Sequence, residues 1–201
     1  MTDVPTHSRK RDGSLPNALV DAGIELLRER GSGGLSLREC AAKANVSHSA
    51  PGYHFKNLKG LATAIATRGF SHFVDAMEKR CQSADPDPRA QLEAICQGYL
   101  DFASGQPELF LFIFSGQQFD KDNAPFEVVA SKAYAILREA CEPFVPKDSS
   151  PEEIEFLIWS LVHGFAHLSM TRKKDNPKLG QTWPDFDAVF SHLFKSITVQ
   201  E

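Results

Sequence analysis

Ser36-Leu-Arg-Glu-Cys-Ala-Ala-Lys-Ala-Asn-Val-Ser-His-Ser-Ala-Pro-Gly-Tyr-His-Phe55 is the stretch whose reading decides the fold. Ser36 is typed as a helix N-cap, and Glu39 three residues on completes a capping box, which predicts a short helix through Ala44. Asn45, Val46 and Ser47 predict a tight turn, and Ser47 is typed to cap a second short helix from His48 to about Phe55. Two brief capped helices joined by three residues make a helix-turn-helix on spacing. Asn57 then caps a long helix, because Leu61, Ile65, Ala66, Phe70, Phe73, Val74 and Met77 keep a helical period.

Working outward, helical periodicity continues in both directions and strand-like alternation is nowhere sustained. Upstream, Leu15, Leu19, Ala22, Gly23, Leu26 and Leu27 form one face of a first helix that Gly31 to Gly34 end. Downstream, Asp85-Pro-Asp-Pro88 breaks the long helix, and Leu92, Ile95, Cys96, Tyr99, Leu100 and Ala103 form the next stripe. Gln106-Pro107 introduces a short apolar segment, Leu109 to Phe114. Another stripe runs from Phe126 to Cys141 and stops at Pro143 and Pro146. The most apolar helix is expected over about Glu152 to Thr171, with Arg172, Lys173 and Lys174 suiting its C-terminal end. After a loop containing Pro177 and Gly180, a last helix is expected from about Trp183 to Ile197. The expected fold class is all-α, with about nine helices.

Composition narrows the function. The 201 residues hold no apolar run long enough to span a bilayer, so a membrane partner is not expected. The polar start, Met1 to Asp12, lacks a signal-peptide pattern, so a cytoplasmic protein is expected. Cys40, Cys81, Cys96 and Cys141 make no C-x-x-C pair, so they read as buried free thiols. Net charge is −4, but unevenly spread: residues 1–60 carry nine Lys and Arg against six Asp and Glu, and the remainder thirteen against twenty. A basic head on an acidic body orients one end toward a polyanion.

The segment Leu35 to Phe55, followed by Lys56-Asn-Leu-Lys-Gly-Leu61, resembles the N-terminal signature of the tetracycline-repressor (TetR) family of regulators. The match covers residues 15 to 73 and becomes diffuse beyond them. The resemblance implies a flexible basic tail over 1–12, a DNA-binding domain over 13–73 with its motif at 36–55, and a ligand-binding and dimerisation domain over 74–201. It implies that Ser47, His48, Ser49, Ala50 and Tyr53 face base edges or phosphates in the major groove, with His54 near the backbone. Serine and histidine donate hydrogen bonds to phosphates or bases, which suits those roles. Arg38 and Lys59 are the expected charged phosphate contacts. Two departures stand out: Gly52 occupies a recognition-helix position where many members carry an aromatic, and Leu58 a place where lysine is common. Part of the affinity is therefore assigned to the Arg9-Lys10-Arg11 tail, along the backbone or in the minor groove.

Phenylalanine is concentrated after residue 100. Phe102, Phe110, Phe112, Phe114, Phe119 and Phe126 exceed what one stripe of short helices absorbs, so some are expected to line an apolar cavity. Phe102, Phe110, Phe114, Trp159 and His163 are the expected ligand-binding residues. The eighth helix reads as apolar on two faces: Ile154, Leu157, Ile158, Leu161, Val162 and Phe165 on one, Trp159, His163, Ala166 and Met170 on the other. Such a helix needs two partners, its own body and a second subunit. Leu161, Phe165, Leu168, Phe190 and Phe194 are the expected homodimer contacts, and a four-helix interface is what the family resemblance implies. Trp159-Ser-Leu-Val-His-Gly164 also resembles a signature of one subset of the family's ligand domains.

His163 and His167 have the i, i+4 spacing of a metal pair, but no Glu, Asp or Cys on that face completes a shell, so no metal or cofactor is expected. The resulting expectation is a repressor rather than an enzyme. It would bind a pseudopalindromic double-stranded DNA operator as a homodimer and be released by a small apolar or aromatic effector. Two rivals remain from the sequence: a helical protein-binding adaptor without an effector, and a metal-dependent enzyme using His163 and His167.

Overall fold

A computed structural model describes residues 14–116, 119–171 and 184–200. The Arg9-Lys10-Arg11 tail, the basic run at 172–174 and Trp183 lie outside the described residues. Among those described are nine α-helices, two 3-10 turns and no strand. They are α1 (Ser14–Arg30), α2 (Leu37–Lys43), α3 (Ala50–Phe55), α4 (Leu58–Ser83), α5 (Pro88–Gly105), α6 (Pro107–Ile113), α7 (Ala124–Cys141), α8 (Pro151–Thr171) and α9 (Phe186–Leu193).

Local chemistry sets most of the helix ends. Gly31, at φ 66°, takes the left-handed conformation that glycine tolerates and closes α1, its N–H reaching the Leu27 carbonyl at 2.8 Å. Side-chain oxygens of Asn57, Asp87 and Asn123 accept from Gly60, Ala90 and Phe126 N–H groups at the starts of α4, α5 and α7. The last helix is shorter than its apolar pattern suggests. It begins at Phe186 and gives way to a turn after Leu193, yet Ile197 beyond the turn is still buried.

Helix α4 is the spine. It packs against α1, α5, α6 and α7, and one continuous buried cluster runs from Leu19 in α1 to Ile197. Close approach with α5 depends on Gly98, where an added Cβ would stand 2.6 Å from the Ala76 carbonyl oxygen and from the Met77 Cα. Thr63 and Glu155 are the buried polar side chains among the described residues. Thr63 Oγ1 donates to the Lys59 carbonyl at 2.8 Å and accepts the Asp120 backbone N–H at 3.0 Å, tying the segment before α7 to the first turns of α4. No described helix is long and apolar enough to cross a membrane.

Candidate functional site

The motif at 36–55 folds as two short helices on a shared apolar footing. Ser36 takes an extended conformation and its Oγ accepts the Glu39 N–H at 3.1 Å. The reciprocal half of the capping box does not form, because the Glu39 carboxylate turns to Arg30 at 3.2 Å. Cys40 and Ala41 are buried, and burial pushes the Cys40 thiol up to about 11, so it is a packed thiol rather than a nucleophile. Asn45, at φ 53°, reverses the chain, and the Val46 N–H reaches back to the Ala41 carbonyl.

Helix α3 starts at Ala50, two residues later than expected, and Ser47 is not its cap. Ser47 and Ser49 instead stand 3.3 Å apart through their hydroxyls. Pro51 explains the shift, since its ring suits the first turn of a helix. Of the residues in α3, Pro51 is buried and Ala50 and Phe55 are half-buried, while Gly52, Tyr53 and His54 are exposed. Tyr53 is 86% exposed, far beyond what a core-packing aromatic shows. The helix therefore rests on one edge and offers the rest of its surface outward. Lys56, at φ 65°, ends it, and Gly60 lets α4 pass close beneath, since a Cβ there would lie 2.1 Å from the Phe55 carbonyl oxygen.

Seven of the eight residues expected at DNA, namely Arg38, Ser47, His48, Ser49, Tyr53, His54 and Lys59, are exposed, and Ala50 is half-buried. Nearby carboxylates are engaged elsewhere. Lys43 binds Glu29 at 2.8 Å and Glu25 at 3.3 Å, and this contact holds the Glu29 carboxyl below its ordinary range. Arg38, Lys56 and Lys59 make no ion pair with the described residues, so their charges are available to a partner.

A second feature lies farther along the same long helix. A cavity of about 280 Å³ is walled by Phe70, Phe73 and Met77 of α4, Ile95, Cys96 and Tyr99 of α5, and Phe114 just after α6. Ala130, Ala133, Tyr134 and Leu137 of α7 and Trp159 and Val162 of α8 close it. Its rings brace one another edge to face: Phe73 on Tyr99 at 4.8 Å and on Phe114 at 5.7 Å, and Phe70 on Phe114 at 5.9 Å. Burial raises the Tyr99 hydroxyl and, further still, the Cys96 thiol, so both stay protonated.

Of the expected ligand residues, Phe114 and Trp159 line the cavity. Phe102 and Phe110 do not; they are 2% and 0% exposed and pack behind Phe73 and Tyr99. His163 also stands behind the wall, its Nδ1 2.7 Å from the Tyr99 hydroxyl and its ring against Phe110 and Phe114. Burial, helped by His167, holds its pKa below the ordinary imidazole value. The His163 and His167 rings are 5.9 Å apart, and no cluster of three potential metal ligands occurs among the described residues. Residues that sequence reading missed come mainly from α4, α5 and α7. The signal for α7 was its small Ala130 and Ala133, facing a region rich in phenylalanine.

Helix α8 turns a different edge outward from the one its periodicity suggests. Ile154, Ile158, Val162 and Ala166 form the buried stripe, while Leu157 is exposed. Leu161, Phe165 and Leu168, with Gly164 and Val189, line a shallow apolar groove between α8 and α9. Phe190 is 1% exposed and stacked on Phe186, so it belongs to the core rather than to an outer face. Phe194 is half-buried beneath the Arg89 guanidinium, 4.2 Å from its ring centre.

The family profile described as Tetracyclin repressor-like, C-terminal domain, matches residues 92–195. The chain belongs to the TetR family of transcriptional regulators. An uncharacterised HTH-type transcriptional regulator in the dhlA 5' region of Xanthobacter autotrophicus is 36% identical over 83 residues, 41% of each chain. The HTH-type transcriptional regulator BetI of Serratia proteamaculans is 31% identical over 84 residues, 41% of this chain and 42% of that one. The chain thus matches about two fifths of the length of these curated relatives. Among solved structures, a protein of unknown function from Rhodococcus sp. RHA1 superposes with a TM-score of 0.75 at 23% identity, covering 94% of this chain and 96% of that one. AibR in complex with isovaleryl coenzyme A and operator DNA superposes with a TM-score of 0.64 at 17% identity, covering 90% and 97%. At these identities the structural likeness is one of fold.

Proposed function

We propose that this protein is a ligand-responsive repressor that binds a pseudopalindromic DNA operator as a homodimer and is released by a small apolar or aromatic effector. The observation that carries the reading is α4 itself: its first turns support the exposed reading helix at Phe55 and Gly60, and its middle walls the aromatic cavity through Phe70, Phe73 and Met77. Residues 13–73 act as the DNA-binding part and 74–201 as the sensing and dimerising part, with the 1–12 tail adding backbone contacts. Arg38 and Lys59 neutralise phosphates, while Ser47, His48, Ser49, Ala50, Tyr53 and His54 approach base edges and backbone. Leu161, Phe165 and Leu168 of α8 form the apolar part of the subunit interface. Two reading helices then enter major grooves about 34–36 Å apart or a multiple of that repeat.

Effector binding pushes the α4 and α7 walls of the cavity apart, and the Thr63 to Asp120 bond carries part of that displacement to the first turns of α4. A coupling of about 1–3 kcal/mol between the two sites suffices to change operator occupancy appreciably. Selection of bound duplexes from a randomised pool tests the DNA half of the reading. An inverted repeat with half-sites one helical turn or a multiple apart is the expected result. Enrichment of no inverted repeat removes the specific-operator reading.

A further inference from the structure

We infer that the effector of this cavity is an uncharged, hydrocarbon-like molecule of roughly ten to twelve non-hydrogen atoms, and that carboxylates and ammonium ions of the same shape are excluded. The inference rests on the reading of the cavity as the effector site and specifies the chemistry that site accepts.

Size comes from the volume. The cavity holds about 280 Å³, roughly twice the ~150 Å³ engineered cavity that accommodates one benzene. At interior packing density this admits a benzene ring carrying a four-carbon chain, or two fused rings.

Charge selection comes from how the polar groups of the wall are spent. The two hydroxyls of the described wall, on Tyr99 and Tyr134, are both engaged within the protein. The Tyr99 hydroxyl pairs with His163 Nδ1 at 2.7 Å, and the Tyr134 hydroxyl donates to the buried Glu155 carboxylate. Among the described residues, no Lys, Arg, Asp or Glu lines the cavity. A carboxylate entering it meets no cation and no free hydroxyl among the described lining residues, and a buried ion without a charged partner is strongly disfavoured. A cation meets no carboxylate among the described lining residues, and the Phe73, Tyr99 and Phe114 rings pack on one another, at 89° and 90°, rather than standing apart as a cage. The cation–π attraction of an open aromatic cage is therefore not on offer. His163 acts here as a positioning residue, since it draws the Tyr99 hydroxyl away from the ligand space.

The test is calorimetric titration of the full-length chain at neutral pH with butylbenzene, 4-phenylbutyrate and 4-phenylbutylammonium, three probes alike in shape and different in charge. Butylbenzene is expected to bind, and both ions to bind at least about a hundredfold more weakly. Ala133→Phe, which fills the cavity from α7, is expected to abolish butylbenzene binding. Ala130→Leu serves the same purpose if the first variant fails to fold. Binding of either ion within about tenfold of butylbenzene overturns the inference while leaving the cavity as an effector site. Unchanged butylbenzene binding in a folded filled variant overturns it too, by placing the ligand elsewhere. Failure of all three probes overturns the inference and removes support from the cavity as effector site, whereas operator selection by the same preparation is unaffected by that result.

Discussion

The exposed helix α3 and the aromatic cavity use opposite physics within one chain. Helix α3 buries Pro51 and leaves Tyr53 86% exposed, so its surface is held ready for a partner and adds little to stability. The cavity wall is inward-facing and shared by helices α4, α5, α7 and α8 and by Phe114, and its rings stabilise the fold while leaving room for a ligand. A change in the first region should therefore alter binding without unfolding, and a change at the helix crossings of the second should unfold before it alters anything else. On the proposed reading, function sits where burial is incomplete: outward at α3, inward at the cavity.

Gly98→Ala presses hardest on the second half of that contrast. Its Cβ would contact backbone atoms of α4 rather than a movable side chain, so a loss of about 3 kcal/mol is expected in urea or thermal unfolding. A loss within ~0.5 kcal/mol of zero would mean the α4–α5 crossing yields easily, and the rigid-wall picture would go with it.

Tyr53→Ala and Lys59→Ala sharpen the first half. Both residues are exposed, so the unfolding midpoint should stay within experimental scatter. Operator affinity should fall about tenfold for Tyr53→Ala. For Lys59→Ala the slope of log affinity against log salt should shrink by about 1, as for the loss of one phosphate contact. A marked destabilisation by Tyr53→Ala would show that α3 is part of the core and not a reading head.

The smallest expected effect joins stability to the cavity wall through His163. Burial, with a lesser contribution from His167, lowers the imidazole pKa in the folded protein relative to the unfolded chain. As pH falls, the unfolded chain takes up this proton first, so stability is full above the ordinary histidine range and declines as pH drops through it. The decline levels off once pH passes below the folded-state value. Urea unfolding on either side of the ordinary histidine range should show a weaker pH dependence in His163→Gln than in the parent chain. An equal dependence in both would mean that His163 is not a source of it.

Sequence by itself determined the all-helical class, the two brief helices at 36–55, and the caps at Ser36 and Asn57. Each of these rests on contacts three or four residues apart, which the order of residues states directly. Where local signals competed, the reading slips by two residues: Ser47 is typed as the cap of α3, but Pro51 sets the start at Ala50. Tertiary structure alone decided which aromatics face the cavity, because Phe70, Phe73, Tyr99, Phe102, Phe110 and Phe114 all show helical spacing. Only the crossing of α4, α5 and α7 sends Phe102 and Phe110 into packed core and leaves Phe70, Phe73, Tyr99 and Phe114 on the wall. It likewise turned Leu157 outward and Phe190 inward. The physical reason is that a cap is satisfied within one helical turn, whereas a void exists only where residues from distant parts of the chain fail to meet.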